Sequence, residues 1–143
     1  MIIVRALEVS DFPRVSEISA QLGYPATSVE VAERFANIRN RGDHFIRVAC
    51  GSEGAVIGWV HAHFMERIQV ARYADVAALV VDQSARRQGA ARALMQAVED
   101  WARGHHLSRI RLRSGQQRTD AHAFYEAIGY RHVTTPKAFE KTL

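Results

Sequence analysis

The segment from Leu79 to Met95, LVVDQSARRQGAARALM, most constrains what this chain can fold into. An apolar, β-branched run is followed by a short polar loop, a glycine and an amphipathic stretch of helical period. The order predicts a strand, a loop and the N-terminus of a helix. The first N–H groups of a helix have no carbonyl partner and lie at the positive end of its dipole. The segment is therefore predicted to bind a phosphate group.

The spacing within this loop narrows the kind of phosphate site. The pattern is Arg86-x-x-Gly89-x-Ala91, in which the small residues allow close approach of backbone to ligand and Arg87 adds positive charge. A P-loop would end in Gly-Lys-Ser/Thr, and a dinucleotide-binding turn would carry three spaced glycines. Neither is present, so the loop favours a pyrophosphate bound by backbone N–H groups and arginines.

A second motif lies near the C-terminal end, AHAFYEAIGY from Ala121 to Tyr130. Phe124 and Ile128 have the spacing of core positions on a helix, and Gly129 is predicted to end that helix. Tyr125 is less easily explained by packing, because a buried phenol needs a polar partner.

The hydrophobic pattern predicts a single domain over residues 1–143 with a mixed α/β (α+β) fold. The predicted order is strand, two helices, three strands, helix, strand, helix and two strands, which gives about seven strands and four helices. Ser10 is the predicted N-cap of the first helix, and Thr27 with Glu30 forms a predicted capping box for the second. The last two strands are predicted as a closing hairpin around Pro136, over 130–134 and 138–142.

Composition sets the broad class of protein. The chain is 48% hydrophobic and 24% charged, without an apolar run long enough to span a membrane and without a signal-peptide pattern, so a cytoplasmic protein is expected. The single cysteine, Cys50, excludes an internal disulfide. A net charge of +4 favours an anionic partner, either a polyanionic cofactor or a nucleic acid. The arginines are dispersed rather than clustered, which argues against nucleic acid.

Together, the two motifs and the element order resemble those of the GCN5-related N-acetyltransferase (GNAT) superfamily over essentially the whole chain. The resemblance implies a GNAT fold and acetyl-CoA as cosubstrate, with no metal. It also implies transfer of an acetyl group to a primary amine of a small molecule or peptide, by direct attack in a ternary complex. The cofactor-binding residues that the resemblance implies are Leu79, Val80, Val81, Arg86, Arg87, Gln88, Gly89, Ala90, Ala91, Arg92, Arg118 and Tyr125. Arg118 stands where many members have an asparagine.

The resemblance also implies catalytic roles. Tyr125 matches the usual general acid, which protonates the leaving thiolate, and a backbone N–H at Val81 or a neighbour would stabilise the oxyanion. The general base is open: Asp75 is a candidate, His61 and His63 are alternatives on one face of the preceding strand, and many members have no dedicated base. His61-x-His63 lacks a third ligand at recognisable spacing, so no metal site is predicted.

Tyr24, His61, His63 and Tyr73 are the predicted substrate-binding residues, and the acceptor amine is not specified. A membrane or nucleic-acid partner is not expected, whereas dimers are frequent among similar proteins. Two alternatives remain: a GNAT-fold domain that binds CoA without catalysis, and a small basic nucleic-acid-binding domain suggested by Arg109, Arg111 and Arg113.

Overall fold

A computed structural model describes residues 1–114 and 118–143. These residues form two compact units, 1–113 and 114–143, and each is described by itself. The elements of the first unit are β1 (Ile3–Ala6), α1 (Phe12–Ala20), α2 (Ser28–Ile38), β2 (His44–Cys50), β3 (Val56–Met65), β4 (Tyr73–Val81), α3 (Ala90–Gly104) and β5 (Ile110–Leu112). The second unit holds α4 (Thr119–Ala127).

The strands form one sheet in the order β1-β2-β3-β4-β5. The pairs β1–β2, β2–β3 and β3–β4 are antiparallel, whereas β5 runs parallel to β4. The β2–β3 register places His44 beside His63, and the β3–β4 register places His63 beside Asp75. Because paired residues share a face of the sheet, these three side chains lie together on one face.

Helices cover both faces of this sheet. On one face, Val15 and Ile18 of α1 pack against Val48 and Val80, with Trp59 at the edge of the cluster. On the other, α3 packs over β2, β3 and β4, where Ala102 lies against Ala74 and Trp101 stacks on Phe45 and Phe64 at ring-centroid distances of 5.0 and 5.1 Å. Apolar side chains of the strands are therefore buried on both faces of the sheet.

The helix termini test several sequence-based predictions. The capping box at α2 is confirmed: Thr27 Oγ1 accepts from Glu30 N, and Glu30 Oε1 accepts from Thr27 N. The Ser10 cap of α1 is wrong, because a 3₁₀ turn over Val9–Asp11 precedes the helix. There Asp11 Oδ2 accepts from Glu8 N at 2.8 Å and the same carboxylate binds Arg5, so a carboxylate fixes the turn instead of a serine hydroxyl.

The strand count differs from the prediction, with five strands among the described residues instead of about seven. The predicted closing hairpin is wrong: residues 130–143 are all described, and none of them is in a strand. An extended segment becomes a strand only when a neighbour completes its hydrogen-bond ladder. In this segment His132 Nε2 instead lies 3.0 Å from Thr134 O and 2.7 Å from Thr135 Oγ1, and Pro136 has no N–H to donate.

The second unit is built around α4 and its C-terminal cap. Gly129 has φ +101°, Tyr130 N donates to Tyr125 O at 2.9 Å, and Gly129 N donates to Glu126 O at 3.1 Å. These two bonds make a Schellman motif, which confirms the predicted glycine stop. None of the helices in residues 1–114 and 118–143 has the length and apolar character of a membrane-spanning segment.

Candidate active site

The sheet opens between its two parallel strands. His61 pairs with Ala78 and Ala62 pairs with Val76, so Ala77 is an extra residue that forms a β-bulge in β4. The β4–β5 pairing covers only 74–76 of β4. Within the described residues, the stretch from Ala77 to Val81 therefore has an open edge on its β5 side, where backbone groups can bind an extended ligand.

The predicted phosphate loop follows this open edge. Arg87 has φ +67° and Gly89, the residue before α3, has φ +90°. These left-handed residues turn the chain between β4 and α3, and among the described residues no backbone hydrogen bond outside helices and strands is donated by an N–H group of 86–92. The first bonded amide is Ala93 N, which donates to Gly89 O. The loop thus presents a set of N–H donors suited to a pyrophosphate.

An ion pair anchors the base of this loop. Asp82, which is buried, accepts hydrogen bonds from the Arg14 guanidinium, from Gln21 Nε2 at 3.2 Å and from Ser84 N at 3.0 Å. Gln21 Oε1 in turn accepts from Gln83 N at 2.9 Å. The Ser84 amide and the Arg14 guanidinium lower the pKa of Asp82 well below its usual range. Arg14 in the first turn of α1 and Gln21 just after its last residue therefore bond this helix to the start of the loop.

The predicted cofactor residues of the first unit lie along this edge and loop. Val80 is buried in the core, so its backbone alone is available to a ligand, whereas Leu79 and Val81 are half-buried. The exposed residues of the loop and helix start are Arg86, Arg87, Gln88, Gly89 and Arg92; Ala91 is half-buried and Ala90 is buried.

Arg118 and Tyr125 belong to the second unit. Burial raises the pKa of the Tyr125 phenol, and the positive charge of Arg118 opposes that rise. The phenol therefore holds its proton through neutral and mildly alkaline pH, as a general acid must.

Gly89→Ala should weaken acetyl-CoA binding about 10-fold, because a left-handed backbone costs a residue with a Cβ about 1–2 kcal/mol. A Cβ at Gly89 meets nothing within 4 Å, so strain in φ is the cause and not crowding. Calorimetric titration with acetyl-CoA measures the change. Gly104→Ala, at the other end of α3 in equally open space, is the matched control and should bind acetyl-CoA normally. Equal affinities for the two variants would contradict the assignment of the loop.

Three histidines and an aspartate form a cluster on the α1 face of the sheet, beyond the part that α1 covers. His44 Nδ1 lies 2.8 Å from His61 Nε2, and the ring centroids of the three histidines are 5.1 to 5.9 Å apart. Burial is the main cause that lowers the pKa of His44, and it lowers the pKa of His61 to about 4. The His61 ring is therefore neutral at pH 7.

Asp75, the fully buried member of this cluster, is held on both oxygens. Arg113 donates to its Oδ1 at 2.6 Å and to its Oδ2 at 3.0 Å, and His63 Nε2 lies 3.4 Å from Oδ2. The other nitrogen of His63, Nδ1, donates to Phe64 O at 2.9 Å. A bond to a carbonyl oxygen requires hydrogen on Nδ1, so in neutral His63 the lone pair is on Nε2, beside Asp75.

The remaining predicted substrate residues are aromatic. Tyr24 is 61% exposed on the α1–α2 connection, where a ligand can reach it. Tyr73 is 4% exposed, and the guanidinium groups of Arg109 and Arg111 lie 4.6 and 5.8 Å from its ring centroid. A ligand would therefore meet the two arginines before it met Tyr73.

Acid should destabilise the fold through the histidine cluster. Because the pKa values of His44 and His61 are lower in the folded state than the ordinary value near 6.5, the unfolded chain binds more protons as the pH falls below that value. The loss from His61 should reach up to about 2 kcal/mol by pH 5. Urea unfolding at pH 7.5 and pH 5 measures it. His61→Gln should reduce the difference, and the exposed His106→Asn should not; the reverse result would contradict this cause.

The sequence alone did not assign several residues to this region, namely Arg14, Gln21, His44, Asp82 and Arg113; Arg113 was considered only for the nucleic-acid alternative. Their partners are distant in sequence, and only the strand register and the packing of α1 bring them together. Among the residues that the structure describes, no group of three or more histidine, cysteine or acidic side chains is arranged to hold a metal ion.

Solved structures that share this fold include several acetyltransferases. Aminoglycoside 6'-N-acetyltransferase AAC(6')-Ih from Acinetobacter baumannii is 18% identical with a TM-score of 0.84, covering 100% of this chain and 99% of that one. Glucosamine-6-phosphate N-acetyltransferase from Arabidopsis thaliana is 21% identical with a TM-score of 0.79, covering 98% of this chain and 99% of that one. AAC(6')-Iy in complex with the bisubstrate analogue CoA-S-monomethyl-acetylneamine is 17% identical with a TM-score of 0.83, covering 100% of this chain and 99% of that one. At these identities the similarity concerns the fold. A search of curated proteins found no match.

The fold that this chain shares with these structures is the class of α/β domain built on a mixed sheet. A comparison of the sequence with family models identifies the family. Residues 5–130 match the Acetyltransferase (GNAT) family, and the chain belongs to that family.

Proposed function

We propose that this chain is an N-acetyltransferase that moves an acetyl group from acetyl-CoA to a primary amine of a small molecule or peptide. The observation that carries the proposal is the loop over 86–92, whose amides donate no backbone hydrogen bond outside helices and strands among the described residues and directly follow the open edge of β4. Similarity to a protein solved with a CoA-containing bisubstrate analogue supports the choice of cofactor.

In this proposal the cofactor lies along β4. The amides and arginines of the loop hold the pyrophosphate, and Leu79, Val80 and Val81 hold the pantetheine arm by backbone bonds. The bulge at Ala77 precedes Asp82 by five residues, about 17 Å of extended chain. In this proposal an extended cofactor has its thioester end near the bulge, and a β4 N–H close to the bulge is available to the oxyanion.

The reaction is direct attack of a neutral amine on the thioester carbonyl. The nitrogen forms a bond to carbon, the C–S bond breaks, and the electron pair leaves with sulfur. Tyr125, for which the role of general acid rests on family resemblance, donates its phenolic proton to the thiolate. Arg118 is proposed to contact a phosphate of the cofactor.

Asp75 and His63 are proposed to act together on the proton that the amine must lose. A carboxylate that accepts twice from a guanidinium is a poor base, which limits Asp75 alone. The Nε2 lone pair of neutral His63 can take the proton, directly or through water, and the resulting imidazolium faces Asp75. Tyr24, His61 and Tyr73 complete the proposed acceptor side.

The test is calorimetric titration with acetyl-CoA followed by thiol release over a panel of amines. Micromolar binding and amine-dependent thiol release are expected. Binding without thiol release from any amine would favour the alternative of a CoA-binding module without catalysis. No heat with acetyl-CoA would contradict both.

We further expect the enzyme to be cytoplasmic, to need no metal, and to have neither a nucleic-acid nor a membrane partner. A homodimer is compatible with it, and light scattering after size exclusion measures the mass in solution.

A further inference from the structure

We infer that the acceptor amine carries a negatively charged group, a carboxylate or a phosphate, which Arg109 and Arg111 bind. The inference rests on the proposed acetyltransferase function and specifies the substrate class of that site. It follows from how charge is distributed on the sheet face around the histidine cluster.

Three arginines of β5 and its flanks point to the same face as the cluster. Ile110 packs on the opposite face, against the α3 cluster, so alternation sends Arg109 and Arg111 toward Tyr73 and Asp75. Arg113 follows the same alternation and bonds Asp75. The guanidinium groups thus form a row along one edge of the histidine cluster.

This row has more positive charge than its surroundings neutralise. The carboxylate in contact with the arginine row is Asp75, and both of its oxygens accept hydrogen bonds from Arg113. Within the part of the chain that the structure describes, Arg109 and Arg111 have no carboxylate within 4 Å; each lies near the ring of Tyr73. The neutral His61 adds no charge at pH 7. Two guanidinium groups are therefore available to an anion, and a polycationic amine would be repelled.

The position of the row assigns it to the acceptor and not to the cofactor phosphates. Arg111 is level with Asp75 in the β4–β5 register, two residues before the bulge at Ala77, about 7 Å along the strand. The phosphate loop begins at Asp82, on the other side of the bulge. In the proposed arrangement the thioester lies near the bulge, so the arginines lie beyond the reacting end of the cofactor.

The chemistry of the ligand follows from these donors. Guanidinium groups bind carboxylate and phosphate oxygens through paired N–H donors. Arg111 is half-buried, which favours direct hydrogen bonds over purely long-range attraction. The acceptor therefore has its amine near the bulge and its anionic group on the arginine row.

Matched amine pairs test this inference by thiol release at saturating acetyl-CoA. Glucosamine 6-phosphate against glucosamine tests a phosphate, and alanine against alaninamide tests a carboxylate. Spermidine and kanamycin represent polycations. At least one anionic member should exceed its neutral counterpart in kcat/KM by 10-fold or more, and the ratio should shrink as salt is raised to 0.5 M.

Arg111→Gln should raise KM for the preferred anionic amine about 10-fold with kcat changed less than 2-fold, and Arg111→Lys should recover part of the loss. Arg103→Gln, an exposed arginine on α3, is the matched control and should behave as wild type. Arg109→Gln serves as the second variant if Arg111→Gln does not fold. A purely structural role would lower kcat, thermal stability and activity on neutral amines together.

The outcomes separate this inference from the proposed function. Equal or better turnover of neutral or polycationic amines would overturn the inference and leave the acetyltransferase function standing. Salt-dependent binding of an RNA or DNA oligonucleotide that Arg111→Gln abolishes, without any preference for anionic amines, would also overturn it. If no amine supports thiol release, the proposed function fails. Calorimetric binding of alanine against alaninamide, in wild type and Arg111→Gln, then decides the inference alone.

Discussion

Replacing Tyr125 with phenylalanine should lower kcat for thiol release about 100-fold while leaving the affinity for acetyl-CoA unchanged. A positioned general acid contributes about 10²–10⁴-fold, and the leaving thiolate is the group that needs the proton. The ring of phenylalanine keeps the packing of Tyr125 against Phe124, whose ring centroid is 5.2 Å away, so the loss should be chemical and not structural.

The pH profile sharpens this test. Because burial raises the pKa of Tyr125 above its ordinary value near 10, the wild-type enzyme should keep the acid form through pH 9. Steady-state rates from pH 6 to pH 10 at saturating substrates measure this. Tyr130→Phe, the neighbouring tyrosine with its ring centroid 6.1 Å away, is the control and should stay within a few fold of wild type. Full activity of Tyr125→Phe with an unchanged profile would remove Tyr125 from the mechanism.

Replacing Asp82 with asparagine should destabilise the protein by about 2–4 kcal/mol and weaken acetyl-CoA binding. The substitution preserves side-chain shape but leaves the Arg14 guanidinium with only the exposed carboxylate of Glu17, 3.3 Å away, and the loss of one partner from a buried ion pair is strongly destabilising. The amides of Gln83 and Ser84 depend on the same network, so the loop that follows should lose its fixed start.

Urea unfolding and calorimetric titration measure the two effects of Asp82→Asn. The lowered pKa of Asp82 means that its contribution is present above the ordinary aspartate value near 4 and is lost as the pH falls below it. The variant should therefore lose less stability than wild type on acidification below pH 4. Asp100→Asn on α3, where the ion pair is exposed, is the control, with a cost below about 1 kcal/mol. Equal stability of the two variants would show that the network does not support the loop.

Much of the fold could be predicted because its signals are local. The apolar run before the phosphate loop predicted the strand that ends β4 at Val81, and the Thr27 and Glu30 pair predicted the start of α2. Gly129 was predicted to end its helix, and Gly89 was predicted to lie in the loop before α3; both have positive φ. Each of these features depends on a few neighbouring residues, which a sequence displays directly.

Features that depend on a distant partner could not be predicted. The closing hairpin around Pro136 had a strand-like composition, but composition does not supply a neighbouring strand. The predicted Ser10 cap was replaced by Asp11, whose carboxylate is fixed by Arg5 of β1. The bonds of Asp82 to Arg14 and of Asp75 to Arg113 join residues 68 and 38 positions apart, which no local pattern reveals.

The candidate site divides in the same way. The loop over 86–92 was predicted because the motif that specifies it is contiguous, and the family of the chain follows from motifs of that kind. For the acceptor side, the sequence predicted His61, His63 and Tyr73 as lining residues but not how they are arranged. The arginines that cover Tyr73 and the addition of His44 to the cluster come from the strand register.

The bulge at Ala77 also bears on the behaviour of the protein in solution. A strand with an unpaired edge can template pairing with a second chain, and proteins usually protect such edges. Here the proposed cofactor would serve that purpose by occupying the β4 edge over 77–81 with its own amide groups. Acetyl-CoA should then slow hydrogen exchange of these amides and suppress aggregation on storage. In a cell, the supply of acetyl-CoA would set how long the folded protein survives as well as how fast it works.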